Sequence, residues 1–177
     1  LAPWLRSLKS RWAAASGALA LALLLSAAAP APAAGGTIQL SADDQFSFAR
    51  EAAEKGAYTQ AVFEFRRFVH FFPDDPRVGE ARMAIGRALF MDRQFREAIG
   101  AFRDVVDKEG GRLAETALLE ISAAHQALGE SRAALQALDE LLAVTADDDL
   151  KDRVWLRVGW IYLDQGEFTA AGQAFAR

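Results

Sequence analysis

The amino-acid sequence predicts an all-α fold, an α-solenoid of antiparallel helix pairs that follows an N-terminal signal segment. Three observations lead to this prediction. A ten-residue pattern recurs four times at nearly constant spacing, apolar stripes of helical period flank each copy, and no segment bounded by glycines alternates as a strand would. The 177 residues are enough for one such array and a leader.

The recurring pattern reads GAYTQAVFEF at 56–65, RQFREAIGAF at 93–102, GESRAALQAL at 129–138 and GEFTAAGQAF at 166–175. The copies align on a marker residue, which is Gly56, Arg93, Gly129 or Gly166, and the markers are 37, 36 and 37 residues apart. A period of this length is typical of stacked supersecondary units. It predicts at least seven helices in 42–177, with turns at 55–57, 92–94, 128–130 and 165–167.

Four sets of residues are expected to build the core of the hairpins. Alanines five residues after each marker, and small residues seven before it, allow two helices to cross closely. Large apolar residues eight before each marker, and aromatic residues two after three of the markers, fill the core. The alanines are Ala61, Ala98, Ala134 and Ala171, and the small residues are Ala49, Gly86, Ser122 and Gly159. The large apolar residues are Phe48, Ile85, Ile121 and Val158, and the aromatic residues are Tyr58, Phe95 and Phe168.

Residues 1–33 have the three-part order of a secretory signal peptide. A basic opening, LAPWLRSLKSRW, precedes an uncharged run at 13–29 and the small-residue segment PAPAAGG. Cleavage is expected after Ala33, which places the rest of the chain in the periplasm or otherwise outside the cytoplasm. The alternative is an uncleaved membrane anchor, although 17 uncharged residues lie at the short end of a bilayer span. Membrane contact is expected only through residues 1–33, if they are retained.

The mature chain is expected to begin with a linker at 34–41. Ser41 and Asp44 then resemble a capping box that starts the first helix. The repeated centre, G-x-aromatic-x-x-Ala with a large–small pair before it and Pro73 after the first copy, resembles the tetratricopeptide repeat (TPR). The resemblance implies a right-handed solenoid of about four repeats, at 42–78, 79–114, 115–151 and 152–177, the last one incomplete.

The repeats are slightly longer than is usual for that family, and HFFPDDPRVGEA joins the first two copies. Both features are similar to bacterial envelope TPR proteins, such as the periplasmic coordinator of the Tol–Pal system and the lipoprotein that assists barrel assembly in the outer membrane. The sequence departs from the family where Arg93 replaces a turn glycine and where the later copies lack the closing proline. The absence of cysteine excludes a lipoprotein anchor.

In TPR arrays the first helix of each repeat lines a concave groove that binds a partner. The resemblance therefore implies a mostly apolar groove for other proteins or peptide segments, expected to come from the cell envelope. Two arginines in it are expected to hold a carboxylate. The alternative is that several of these side chains are core between adjacent repeats. The residues are Phe46, Arg50, Met83, Arg87, Phe90, Met91, Leu119, Gln126, Leu156, Trp160 and Leu163.

The sequence predicts no catalytic, cofactor-binding or metal site. It lacks cysteine and any nucleophile or phosphate-loop motif, and its net charge of −4 argues against nucleic-acid binding. His70 and His125 are isolated and are interpreted as packed or partly exposed helical residues. The acidic run at 147–149 lacks the glycine and distal glutamate of a calcium loop. It is expected to cap a helix that begins near Leu150.

Two functions follow from these expectations. The first is a periplasmic scaffold for protein–protein interaction, in envelope or outer-membrane assembly, with no enzymatic activity. The alternative is an N-terminal targeting module of a longer protein whose C-terminal part carries an enzymatic or membrane function. The fourth copy stops at Arg177 before its second helix is complete. Truncation or continuation is therefore expected, because solenoid ends need a polar cap for solubility.

Overall fold

The computed structural model describes residues 40–177, which form eight α-helices and no strand. The predicted signal segment, and residues 34–39 of the predicted linker, lie outside the described residues. The all-α prediction is confirmed, and the four hairpin turns fall where the repeat pattern predicts. The helices are α1 (Ala42–Glu54), α2 (Tyr58–Phe71), α3 (Val78–Met91), α4 (Phe95–Lys108), α5 (Gly111–Ala127), α6 (Ser131–Val144), α7 (Asp148–Asp164) and α8 (Phe168–Phe175).

Odd-numbered helices are the first helices of the four hairpins, and even-numbered helices are the second. Each helix packs against the next one in the chain, and the first helices α3 and α5 also contact each other. The contact between α6 and α7 is the least extensive of those between consecutive helices. A continuous core lies between the two rows of helices, and its largest fully buried side chains include Phe65, Phe68, Phe102, Leu118, Ile121 and Leu138.

Side-chain caps begin α1 and α7. The Ser41 hydroxyl accepts the Asp44 N–H at 3.1 Å and donates to the Asp44 carboxylate at 2.7 Å, which is a serine–aspartate form of the predicted capping box. The Asp147 carboxylate accepts the Leu150 N–H at 3.1 Å. Asp148 and Asp149 occupy the first turn of α7, where negative charge is favourable. The acidic run therefore caps this helix, as predicted.

The first helices of the third and fourth hairpins begin before the predicted repeat boundaries at 115 and 152. α5 starts at Gly111 and α7 at Asp148, and both helices have 17 residues, against 13 in α1 and 14 in α3. Two local features allow the early starts. Gly110 has a φ of 121°, which permits an abrupt turn after α4, and Asp147 caps α7. Shorter connections offset the longer helices, so the repeat period is nearly constant.

The small residues lie at close helix contacts, as predicted. The four alanines after the markers are buried, with at most 1% of their surface exposed. A Cβ atom added to Gly86 would lie 2.4 Å from the Phe102 ring, and one added to Gly159 would lie 2.2 Å from the Phe175 ring. In these two hairpins a ring from the second helix therefore rests directly on the backbone of the first helix.

The predicted core positions are wrong for Phe48 and Phe168. Ile85, Ile121 and Val158 are buried as expected, but the equivalent Phe48 is 45% exposed. Phe48 lies on the first helix of the array, and no described helix precedes α1 to cover it. Phe168 is 73% exposed, whereas the equivalent Phe95 is half-buried beside Phe90 of its own hairpin. The repeat pattern gives a position within the hairpin, whereas burial also depends on a neighbouring hairpin.

Arg93 has a backbone conformation that glycine adopts in the other three hairpins. Its φ is 60°, and the corresponding turn glycines, Gly56, Gly129 and Gly166, have φ values of 76°, 74° and 78°. A residue with a Cβ atom is strained in this left-handed region. The second hairpin thus tolerates a local strain that the other three avoid.

We expect Gly86→Ala to destabilise the protein by about 1–3 kcal/mol, because its methyl group must displace the buried Phe102 ring. Gly100→Ala is the matched control. Gly100 is an exposed residue inside α4, and a Cβ atom there meets nothing within 4 Å, so alanine should stabilise by about 0.5–1 kcal/mol. Urea denaturation measures both, and equal shifts in the same direction would contradict the close contact.

We expect Arg93→Gly to raise the free energy of unfolding by about 1 kcal/mol, because glycine relieves the left-handed strain. The exposed Arg132→Gly, in the first turn of α6, should instead lower it, since glycine is a poor helix former. Thermal unfolding distinguishes the two. A loss of stability in Arg93→Gly would show that the arginine side chain stabilises the fold by more than its left-handed backbone conformation destabilises it.

Candidate functional site

A groove of about 440 Å³ lies on the side of the array formed by the first helices, and we call it the first-helix groove. Five of the eleven predicted partner-binding residues line it together: Phe46, Arg50, Met83, Arg87 and Met91. The sequence prediction did not include its other lining residues, which come from α1, α2, α3 and the start of α5. These are Ala53, Glu54, Tyr58, Phe65, Glu80, Ala84, Ala88, Leu113 and Thr116.

The groove has a buried apolar floor and an exposed apolar rim. Phe46 and Met83 are only 6% and 3% exposed, so they belong to the core between adjacent repeats as well as to the groove. Met91 is 58% exposed and Leu113 37% exposed. A ligand would therefore contact mainly the two rim side chains, while the floor fixes the depth and shape of the groove.

Two arginines on the groove form only weak ion pairs. Arg50 lies 3.4 Å from Glu54, and Arg87 lies 3.4 Å from Glu120. More than half of each arginine side chain is exposed, and pairs this exposed contribute little to stability. Both guanidinium groups are therefore accessible to a ligand carboxylate, which they can bind through two parallel hydrogen bonds.

The other predicted residues lie away from this groove. Phe90 packs edge-to-face on Phe95 inside its own hairpin, with ring centroids 5.2 Å apart. Leu156 and Trp160 are 51% and 61% exposed on α7, and Trp160 packs against Phe175. Three further residues are half-buried and do not line the groove, namely Leu119, Gln126 and Leu163. The structure therefore does not bring the predicted residues of α3 and those of α7 into one groove.

Position in the array explains why Leu156 is exposed. The equivalent residues in the first three repeats are Phe46, Met83 and Leu119, and the next hairpin covers each of them fully or partly. No described helix follows α8 to cover Leu156. The last hairpin therefore presents three exposed apolar side chains, Leu156, Trp160 and Phe175. The equivalents of Leu156 and Phe175 are buried or half-buried in the earlier repeats, whereas those of Trp160 include the exposed Arg50 and Arg87.

Arg77 holds the floor of the groove in place. Its guanidinium lies over the Phe46 ring at 5.0 Å and the Phe68 ring at 5.5 Å. It also pairs with Asp43 at the start of α1 and with Asp75 in the α2–α3 connection, each at 2.8 Å. One side chain thus joins α1, α2 and α3. Sequence reasoning missed it, although the D-P-R triplet before α3 is the signal that would have drawn attention to it.

The Asp75–Arg77 pair is charged over a wide pH range. Hydrogen bonds from the Arg77 side chain and backbone lower the pKa of the Asp75 carboxyl from 3.8 to about 2. The Asp75 carboxylate in turn raises the pKa of Arg77. Asp75 therefore stabilises the connection most strongly when it is ionised.

The two histidines occupy structural positions. His70 is exposed and packs against the Phe71 ring, and the Nδ1 atom of His125 lies 2.8 Å from the Glu130 carboxylate. The hydrogen bond with His125, together with Arg96, lowers the pKa of Glu130. Between residues 40 and 177 no group of three or more histidine or carboxylate side chains is arranged to hold a metal ion. No helix in the same range is long and apolar enough to cross a membrane.

An array of helix hairpins with small residues at the crossings, left-handed turns and a groove along the first helices defines a TPR-like fold. Comparison with solved structures confirms this fold. MamA from Desulfovibrio magneticus RS-1 has a TM-score of 0.61 at 16% identity, over 78% of this chain and 73% of that one. A tetratricopeptide repeat protein from Parabacteroides merdae has a TM-score of 0.64 at 16% identity, over 76% of this chain and 51% of that one.

A third similar structure is a variant of a putative kinesin light chain from Podospora anserina with nearly identical TPR-like repeats. Its TM-score is 0.58 at 18% identity, over 75% of this chain and 70% of that one. No family model and no curated protein matches the sequence. The predicted TPR resemblance is thus confirmed as a fold.

We expect acid to weaken the α2–α3 connection. A carboxyl group whose pKa is lower in the folded protein contributes stability above its unfolded pKa, and this contribution is lost as the pH falls through the folded pKa. For Asp75 the loss should occur between pH values of about 4 and about 2. Thermal midpoints of the wild type should therefore fall more steeply over this range than those of Asp75→Asn. Asp74→Asn, at the exposed neighbour, is the control and should follow the wild type.

Proposed function

We propose that the protein is a TPR scaffold that binds other proteins through the first-helix groove. The observation that carries this proposal is the convergence of an apolar floor, an exposed methionine and leucine, and two accessible arginines on one groove. Met91 and Leu113 can repack around different apolar side chains, and a carboxylate on the partner can reach Arg50 or Arg87. The partner is therefore a peptide segment with an apolar side chain near a carboxylate.

The proposed site of action is the bacterial cell envelope. The support for this is the three-part order of residues 1–33, which is typical of export, and the similarity of the repeat length and of HFFPDDPRVGEA to envelope TPR proteins. A scaffold in that compartment would bind other envelope proteins, including those that assemble the outer membrane.

A second candidate function is that of a targeting module within a longer protein. The exposed Phe175 of the last hairpin favours it, because the equivalent residues of the first three repeats, Phe65, Phe102 and Leu138, are buried. In this case the groove would still bind a partner, and the enzymatic or membrane function would belong to another part of the protein.

We expect Met91→Glu to reduce partner binding about tenfold or more without unfolding the protein, because Met91 is an exposed contact on the groove rim. Val144→Glu introduces the same charge at a residue that is 60% exposed and does not line the groove. Photo-crosslinking from Thr116, followed by mass spectrometry of envelope fractions, measures the bound partner. Equal losses in both variants, or crosslinking that Met91→Glu does not change, would contradict binding in this groove.

A further inference from the structure

Two adjoining cavities lie between the second helices α2 and α4, on the other face of these hairpins from the first-helix groove. Their volumes are about 770 Å³ and 360 Å³, and Arg66 and Glu97 line both. We call the combined space the second-helix groove. We propose that it binds an amphipathic helix whose apolar stripe has acidic side chains along one edge and basic side chains along the other.

The second-helix groove is open because α4 presents no large side chain toward α2 at its middle. Gly100 and Ala101 line the larger cavity, and a Cβ atom added to Gly100 meets nothing within 4 Å. The equivalent positions of the first and third repeats carry Phe63 and Gln136. This groove is therefore a property of the second repeat and not of the repeat pattern in general.

An ion pair joins α4 to α6, but its counterpart between α2 and α4 is missing. Arg103 of α4 binds the Glu140 carboxylate of α6 through contacts of 2.6 and 2.8 Å. The equivalent pair between α2 and α4 would join Arg66 to Asp104. Aspartate is one methylene shorter than glutamate, and Asp104 instead lies 2.5 Å from Lys108 and 3.8 Å from Arg82.

Arg66 is left with no acidic partner within 4.0 Å among residues 40–177. Glu97, on the facing wall, likewise forms no ion pair within the described part of the chain. Arg82 also lines the groove, but Glu109 and Asp104 neutralise it. The α2 wall thus presents an unpaired cation and the α4 wall an unpaired anion.

The floor between these walls is apolar, formed by side chains that include Ile85 and Leu89 of α3. These two residues are four positions apart, so they form a ridge on one helical face. The lining of α2 runs from Thr59 to His70, which is about 17 Å at the rise of an α-helix. A bound helix of about 12 to 14 residues would span this length.

A helix fits this arrangement better than an extended strand does. A helix directs one stripe of side chains downward and positions on both of its edges sideways, so it can meet the floor and both walls together. A strand alternates between only two faces. Charge complementarity then requires acidic side chains beside Arg66 and basic side chains beside Glu97.

Three synthetic helical peptides of about 14 residues test the proposal. All three have the same stripe of leucines and differ only in the residues along its two edges. The mixed peptide has glutamate along one edge and lysine along the other, the glutamate peptide has glutamate along both, and the lysine peptide has lysine along both. Fluorescence anisotropy with the full chain should show the mixed peptide binding about tenfold more tightly than the other two. Arg66→Glu should transfer the preference to the lysine peptide, because both walls are then acidic.

Gly100→Leu fills the groove and should weaken binding of the mixed peptide about tenfold or more, whereas Gly100→Ala should preserve it. Circular dichroism checks that each variant is folded. Because Arg66 is exposed, Arg66→Glu tests the same groove without filling it. Equal affinity for the three peptides would overturn the proposal. Binding that Met91→Glu abolishes would also overturn it, since the peptide would then occupy the first-helix groove.

Discussion

The close contact between a ring of the second helix and a small residue of the first sets the helix spacing in the second and fourth hairpins, and the second hairpin forms part of both grooves. The Phe102 ring rests on Gly86, and the Phe175 ring rests on Gly159. Because protein interiors pack without spare volume, such contacts leave few alternative helix spacings. With the spacing fixed, first helices line one face of the array and second helices the other. The groove on each face then depends on which side chains project into it.

The fold was predictable because its requirements repeat along the chain. Turns with positive φ favour glycine and close crossings require alanine or glycine, so both leave a mark in every copy. The early starts of α5 and α7 were not predictable from the period, since a longer helix and a shorter connection give the same repeat length. The exposure of Phe48 and Phe168 was missed for another reason. A repeat position determines where a side chain points, and burial also requires a neighbour on that side.

The sites were only partly predictable, because they depend on differences between repeats. Position within the repeat placed Arg50, Arg87 and Met91 together, since equivalent residues of adjacent first helices lie side by side. The same reasoning could not show that Phe90 turns toward Phe95 within its hairpin. It also missed the second-helix groove, which arises from a glycine and from one aspartate in place of a longer glutamate. A sequence shows such differences between repeats, but it does not show which side chains lose an ion-pair partner because of them.

The limited contact between α6 and α7 has a consequence for how the array loses its structure. A repeat protein is held together mainly by contacts between neighbouring units, so its stability varies along the chain. The contact between the third and last hairpins is less extensive than the contacts between the other neighbouring hairpins. The amide hydrogens of Asp148–Phe175 are therefore expected to exchange with solvent through openings that leave Ala42–Val144 folded. The four hairpins would then unfold as two units of unequal size, and the half-buried Trp155 lies in the smaller one, where its fluorescence would report the opening.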